Sequence, residues 1–211
     1  MLGANDGVVS VASLLMGVAA AGRPQQDVLL AGVASLVAGA MSMAAGEYVS
    51  VKSQADGEEA DLALERRELH RNPKRELEEL VAIYVEQGLD VPLARRVAEQ
   101  LTARDALAVH AREEIGITEV MRARPLQAAA ASAAAFSVGA LLPIVAAASS
   151  APAHLAAVVG AATVATLAVL GALAAAVGGA SPLRGAVRVT VWGIAAMALT
   201  SAAGHYFGAE P

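Results

Sequence analysis

The sequence predicts an all-α membrane protein with five transmembrane helices and a polar helical segment inserted between the second and third. Of its 211 residues, 56% are hydrophobic and only 3% aromatic, and the mean hydropathy is +0.55. This composition is too apolar for an ordinary soluble domain. Five apolar runs of about 20 residues, the length that a helix needs to cross the hydrocarbon layer, flank one polar stretch. Alanine and glycine dominate these runs, and helices of small residues pack closely in lipid.

The first predicted span covers residues 2–21 and carries a polar face. Its members recur at helical spacing: Asp6, Ser10, Ser13 and Gly17. A polar face on an apolar helix is typical of a surface that lines a bundle interior or a water-filled path. The alternative is that Asn5 and Asp6 only cap the helix at the membrane surface.

The second predicted span, residues 28–51, contains a carboxylate and two thioethers within its apolar sequence. Met43 and Glu47 are four residues apart and therefore share a face, and Gly39 leaves room one turn earlier. A thioether beside a carboxylate suits a borderline divalent metal such as Fe²⁺ or Mn²⁺. The alternative is that Met43 fills a gap in the core and Glu47 lies at the membrane interface.

Residues 52–124 are polar and have the pattern of a small all-helical domain. A first helix over residues 54–70 continues the second span, and Asn72 before Pro73 predicts the start of another helix. Gly88 predicts its end. A third helix follows Pro92, and Thr102 with an acidic residue three positions later resembles a capping box that opens a fourth. The predicted organisation is residues 1–51 (two spans), 52–124 (inserted domain) and 125–211 (three spans).

The last three predicted spans cover residues 126–148, with Pro143 as a kink, 154–177 and 187–207. Fourteen of the fifteen lysines and arginines lie in the insert or in residues 178–188. Five alternating spans place these two regions on the same side of the membrane. The positive-inside rule predicts that this side is the cytoplasm, so the insert is expected to be a cytoplasmic helical domain.

Two pairs of glutamates in the insert are spaced by three residues on consecutive predicted helices: Glu65 with Glu68, and Glu76 with Glu79. An antiparallel hairpin can bring such pairs together as a carboxylate cage for divalent cations. His110 and Glu114, four residues apart, can also bind one ion. The alternatives are solvated acidic faces and an ordinary exposed pair. The sequence therefore predicts a metal-binding domain with these six candidate ligands.

Several functional classes are excluded by what the sequence lacks. The absence of cysteine excludes disulfides and thiolate metal sites. There is no phosphate-binding loop for ATP-driven pumping, no GxSxG elbow of a hydrolase and no paired E-x-x-H of a di-iron oxidase. The net charge of −5 disfavours nucleic acid as a partner. We therefore predict that the chain is not an enzyme and holds no permanently bound cofactor.

Three long motifs carry a resemblance to a known family: GANDGVVSVASLLMGV, AGVASLVAGAMSMAAGEYVSVKSQAD and LQAAAASAAAFSVGALLPI. They resemble the vacuolar iron transporter family, which includes yeast and plant vacuolar iron and manganese carriers and bacterial relatives. The resemblance covers nearly the whole chain. It implies a five-span homodimer that exchanges cytosolic Fe²⁺ or Mn²⁺ for protons.

The resemblance also implies roles for particular residues. Asp6, Met43 and Glu47 match the transport pathway of the family. The two glutamate pairs and Glu114 match its cytoplasmic metal-binding domain. Where plant members have two adjacent methionines, this chain has His110 and Ala111, so its metal preference is expected to differ. The chain also starts almost at the first motif, so either its natural start lies upstream or the cytoplasmic mouth is shortened.

The sequence is therefore interpreted as a dimeric secondary transporter that moves Fe²⁺, and Mn²⁺ with it, out of the cytosol in exchange for protons. A carboxylate inside the bilayer can bind either a proton or a metal ion, and this competition would couple the two fluxes. A membrane-anchored metal sensor or buffer is the alternative, while methionine disfavours Mg²⁺ or Ca²⁺ as cargo. The expected location is a membrane crossed several times: the plasma membrane if the chain is bacterial, the vacuolar membrane in eukaryotic relatives.

Overall fold

The computed structural model describes residues 2–116 and 123–208, and these fold into seven α-helices with no strand among them. In chain order the helices are α1 (Leu2–Ala20), α2 (Gln25–Arg71), α3 (Pro73–Glu86), α4 (Val91–His110), α5 (Pro125–Ser149), α6 (Leu155–Val177) and α7 (Pro182–Gly208). Five of them, α1, α2, α5, α6 and α7, are long and apolar enough to cross a membrane. The predicted all-α class with five candidate spans is therefore confirmed.

Helix α2 contains both the second span and the first helix of the polar segment, as the sequence predicts. It runs for 47 residues without a break, which corresponds to about 70 Å at 1.5 Å per residue. Neither proline nor an αL glycine interrupts it, and its polar part is supported by pairs one turn apart. Lys52 lies 2.5 Å from Asp56 and Gln54 donates to Glu58 at 3.0 Å.

The chain divides into two compact units. One comprises Met1–Tyr48 and Leu126–Pro211, and we call it the membrane unit; the other, Val49–Pro125, is the insert unit.

Glycine lies where helices of the membrane unit cross. A Cβ on Gly7 of α1 would collide with the backbone of Phe136 in α5, and one on Gly204 of α7 would collide with the backbone of Gly17. A Cβ on Gly171 of α6 would lie 2.6 Å from the carbonyl oxygen of Gly185. These crossings bring backbone against backbone, which is how small residues stabilise helix packing in lipid.

Replacing Gly7 by alanine is expected to destabilise the membrane unit by about 1–3 kcal/mol, because the added methyl group overpacks a contact with backbone atoms that cannot rotate away. The matched control is Gly160→Ala in α6, where a Cβ meets no atom within 4 Å. That change should be neutral or slightly stabilising, since alanine favours helix over glycine. Thermal unfolding of the purified protein in detergent measures both. Equal melting temperatures for the two variants would contradict the packing described here.

The insert unit is built on the packing of α3 against α4. Its buried apolar residues are Leu80, Val81, Tyr84, Ala94, Ala98 and Val109. Helix α3 begins at Pro73 as predicted, although the side chain of Asn72 makes no capping hydrogen bond. Gly88, with φ of +103°, follows its end. Asp90 then caps α4 by accepting the amide of Leu93 at 2.9 Å.

The predicted capping box at Thr102 is wrong by three residues. The interruption of α4 lies at Asp105, whose backbone is extended at φ −163° and ψ 93°, and whose carboxylate accepts the Ala108 amide at 3.0 Å. The hydroxyl of Thr102 is buried without a hydrogen-bond partner among the described residues. Asp105 therefore caps the final segment, which passes through a π-helical turn (Ala111–Ile115).

Candidate metal centre

Three side chains of the insert unit meet in a buried cluster, which we call the buried triad: Glu65, Glu76 and His110. Their exposed fractions are 3%, 3% and 0%, and one ligand atom from each lies within 4.8 Å of the others. Glu65 comes from the end of α2 and Glu76 from the first turn of α3, so the reversal at Asn72 brings them together. The capped segment after Asp105 contributes His110. The triad therefore joins one member of each predicted glutamate pair to the predicted histidine.

The imidazole of His110 faces two carboxylates through one of its nitrogens. Its Nδ1 lies 3.0 Å from Oε1 of Glu65 and 3.4 Å from Oε2 of Glu114, a side chain that is 35% exposed. The contact with Glu65 is not an aligned hydrogen bond, since Oε1 of Glu65 has no hydrogen-bond donor among the described residues. Nε2 of His110 is likewise buried without a partner. Two buried atoms of the triad, Oε1 of Glu65 and Nε2 of His110, therefore have no hydrogen-bond partner among the described residues, while Nδ1 is hydrogen-bonded to Glu114.

These distances suit donors that share one cation. Two ligand atoms about 2.1 Å from an ion lie about 3.0 Å apart at a right angle and about 3.4 Å apart at the tetrahedral angle. The contacts of Nδ1 with Glu65 and Glu114 are compatible with these two spacings, which are also those of a hydrogen bond or an ion pair. Buried carboxylates are unfavourable without a compensating charge. A divalent cation would supply that charge, with Glu114 as a further ligand.

The second members of the glutamate pairs act on the triad through their charge. Glu68 and Glu79 are half-buried and lie outside the triad. Burial raises the pKa of Glu76, and the carboxylates of Glu79 and Glu68 raise it further. Burial also raises the pKa of Glu65, followed by the charge of Glu114, while His110 opposes the shift. Ionisation of these carboxylates is therefore unfavourable in the folded protein when no cation is bound.

The burial of these carboxylates, together with the repulsion between them, predicts how stability depends on pH without metal. Because the folded-state pKa values of Glu65 and Glu76 exceed 4.5, their contribution to stability is complete below about pH 4.5 and is lost as the pH rises through those raised values. In EDTA, Glu76→Gln should therefore melt higher than the unmodified chain at pH 7 but not at pH 4. Glu59→Gln, at an exposed position of α2, is the control. Identical pH dependence of melting for the unmodified chain and Glu76→Gln would refute the raised pKa of Glu76.

Two polar contacts that the sequence analysis missed hold the ligand-bearing segments in place. Glu113 accepts from Arg112 at 2.7 Å and from Gln87 at 3.2 Å, which ties the π-helical turn to the end of α3. Glu78 and Arg95 form a double hydrogen bond at 2.6 and 2.7 Å between α3 and α4. The carboxylate of Glu113 is thus bonded to Arg112 and Gln87, whereas the carboxylate of the neighbouring Glu114 faces His110.

In the membrane unit, Asp6 lies at a cavity. Its Oδ1 accepts the hydroxyl of Ser10 at 2.7 Å, so two members of the predicted polar face are bonded to each other. The cavity has a volume of about 420 Å³ and is also lined by Arg188 and Trp192 of α7. The sequence analysis missed both residues at this site. The available signal was an arginine one turn before the tryptophan of an apolar helix.

The other two pathway candidates do not line the cavity of Asp6. Met43 is half-buried and packs against the apolar core of the membrane unit, while Glu47 is exposed. Among the described residues, the structure thus brings together the metal ligands of the insert unit. It does not bring Asp6, Met43 and Glu47 into one cavity within a single chain.

Comparison with known proteins identifies the family. A family model described as "VIT family" matches residues 1–205. "Vacuolar iron transporter" from Acanthamoeba castellanii is 47% identical over 97% of this chain and 76% of its own length. "Vacuolar iron transporter homolog 3" from Oryza sativa subsp. japonica is 44% identical over 94% of this chain and 65% of its own length. "Vacuolar iron transporter homolog 1" from Arabidopsis thaliana is 38% identical over 95% and 77%. With five candidate spans and a family match over almost its whole length, the chain is an integral multi-pass membrane protein that belongs to the VIT family.

Proposed function

We propose that this chain is a homodimeric secondary transporter that exports Fe²⁺, and Mn²⁺ with it, from the cytosol in exchange for protons. The names of its relatives support metal transport. The observation that carries the proposal for this chain is the buried triad, because it gathers two carboxylates and an imidazole, and two of its buried atoms have no hydrogen-bond partner among the described residues. The homodimer rests on the resemblance to the family alone.

In this proposal the insert unit is cytoplasmic and captures the ion. Glu65, Glu76 and His110 bind it, and Glu114 approaches as a further ligand from its partly exposed position. The charges of Glu68 and Glu79 attract cations to the site. Carboxylate donors suit Mn²⁺ and imidazole donors suit Fe²⁺. The unit raises the local concentration of metal available for transport.

Passage through the bilayer is assigned to Asp6, Met43 and Glu47. The hydroxyl of Ser10 fixes one oxygen of Asp6, which leaves the second oxygen for an ion or a proton. Metal and proton compete for such a carboxylate, so loading with one favours release of the other. Met43 offers a thioether that distinguishes Fe²⁺ from Mg²⁺ and Ca²⁺. Exchange of the two cations follows from this competition.

The test is uptake of Fe²⁺ and of Mn²⁺ into proteoliposomes with and without an imposed pH gradient. We expect uptake of both ions to accelerate when the lumen is acidic and to acidify the external medium as protons leave. If the rate of uptake is the same with and without the pH gradient, the exchange mechanism is wrong. Binding of metal by the protein without any flux would instead favour a membrane-anchored sensor or buffer. A sensor, however, needs no carboxylate at a cavity of the membrane unit.

A further inference from the structure

We propose that His110 sets the metal preference of the buried triad, favouring Fe²⁺, Co²⁺ and Zn²⁺ over Mn²⁺, Mg²⁺ and Ca²⁺. This inference rests on the proposed function, because it requires that the triad binds metal. One nitrogen atom of this side chain determines which ions bind tightly.

The position of His110 makes the imidazole a donor of the triad. Its side chain is fully buried, so it cannot turn away to solvent, and its Nδ1 lies 3.0 Å from Glu65 and 3.4 Å from Glu114. Nε2 makes no hydrogen bond among the residues described and is not the atom that faces these carboxylates. Nδ1 is therefore the ring nitrogen placed to bind an ion together with the glutamate oxygens.

A second observation shows that the site is incomplete without a ligand. Oε1 of Glu65 is buried, points to Nδ1 at ion-pair distance, and has no aligned hydrogen-bond donor in the part of the chain that the structure describes. Native proteins rarely leave such an atom unsatisfied. A cation at Nδ1 would compensate this oxygen, with Glu114, which is hydrogen-bonded to Nδ1 at 3.4 Å, as a further ligand.

The donor types predict the selectivity. Carboxylate oxygens suit Mg²⁺, Ca²⁺ and Mn²⁺, whereas an imidazole suits Fe, Zn and other transition metals. Affinity at a site with nitrogen donors rises from Mn²⁺ through Fe²⁺ to Co²⁺. The imidazole therefore adds affinity for the later metals while adding little for the others.

Replacing the nitrogen by an oxygen at the same place tests this directly. In His110→Asn the terminal amide oxygen can occupy the position of Nδ1, and the unpaired Nε2 disappears. His110→Gln provides a second oxygen-donor variant with a longer side chain. The matched control is His70→Asn, at an exposed histidine of the same helix as Glu65 that lies outside the triad.

The full-length protein in detergent is titrated anaerobically with Fe²⁺, and separately with Co²⁺, Zn²⁺, Mn²⁺ and Mg²⁺. We expect His110→Asn to lower the affinity for Fe²⁺, Co²⁺ and Zn²⁺ by about tenfold or more. The affinity for Mn²⁺ and Mg²⁺ should fall by less than about threefold. The visible absorption of bound Co²⁺ should change in the same variant. His70→Asn should alter none of these values.

The possible outcomes separate this inference from the proposed function. If a His110 variant keeps its affinity for Mn²⁺, the insert unit of that variant is still folded. If both His110 variants weaken all ions equally, or none, His110 is only a structural residue and the inference is overturned while metal binding stands. If Glu65→Gln with Glu76→Gln leaves every affinity unchanged, the triad is not a metal site, and the capture step of the proposed function fails with this inference.

Discussion

Asp6→Asn is expected to abolish proton-coupled Fe²⁺ uptake into proteoliposomes, reducing it to the level of protein-free vesicles. The amide oxygen of asparagine can still accept the hydroxyl of Ser10, so the local hydrogen bond is kept. The amide carries no negative charge to bind the ion, however, and it takes up no proton in exchange. The fluxes of Fe²⁺ and protons, measured together, should both disappear.

The control for this variant is Asp27→Asn. Asp27 is an exposed acidic residue in the first turn of α2, and its loss should leave both fluxes near their original rates. Melting temperatures of the two variants should agree, because neither side chain lies in the apolar core. A normal Fe²⁺ flux through Asp6→Asn would remove Asp6 from the pathway and with it the proposed coupling.

The double change Glu65→Gln and Glu76→Gln is expected to weaken metal binding by the insert unit by more than about 100-fold. Even partners outside the coordination sphere change affinity by about 10–100-fold, so the loss of two direct ligands should exceed that range. Glutamine keeps the volume of each side chain while removing the repulsion between the carboxylates. The variant should therefore fold, and titration calorimetry with Fe²⁺ under anaerobic conditions measures the loss.

The control is Glu59→Gln with Asp61→Asn, which removes two exposed acidic groups of α2 and should barely change affinity. Transport by the triad variant should show a raised KM for Fe²⁺ with little change in kcat, because capture is lost and passage is kept. An unchanged KM would show that the insert unit does not supply the ion. A lost kcat would show that it takes part in passage itself.

The sequence was sufficient to predict the elements whose signals are local. The apolar runs and their lengths gave the five spans, and the continuous helical pattern after residue 51 predicted that α2 would extend into the polar segment. Spacing also selected Glu65, Glu76 and His110 as candidate ligands. These predictions depend on hydrophobic periodicity and on side-chain chemistry, which a single sequence displays directly.

The selection among the candidate ligands was not predictable from spacing. Residues three apart share a helix face only approximately, so the rotation of α3 decides that Glu76 is buried and Glu79 is not. That rotation follows from the packing of Leu80 and Tyr84 against α4, which involves contacts distant in sequence. The full burial of His110 likewise depends on the interruption of α4 at Asp105, where the sequence pattern favoured a cap at Thr102.

The cavity at Asp6 depends on the packing of α1 against α7, which the sequence pattern does not display, and the start of the last span was also predicted too late. Hydropathy started the last span at residue 187, whereas α7 begins at Pro182. Arg188 lies inside both the predicted span and α7, but the face of α7 that packs against α1 is set by contacts distant in sequence. Trp192 is 74% exposed and lines the same cavity.

The glycine residues at which helices of the membrane unit cross also affect how the spans can move. Large interdigitating side chains lock two helices in one register, since each must leave a pocket before its helix can shift. At Gly7, Gly171 and Gly204 the neighbouring surfaces are smooth backbone, so axial displacement requires no rotamer change there. Sliding of one span along another, a shear motion, is the rearrangement that such surfaces oppose least.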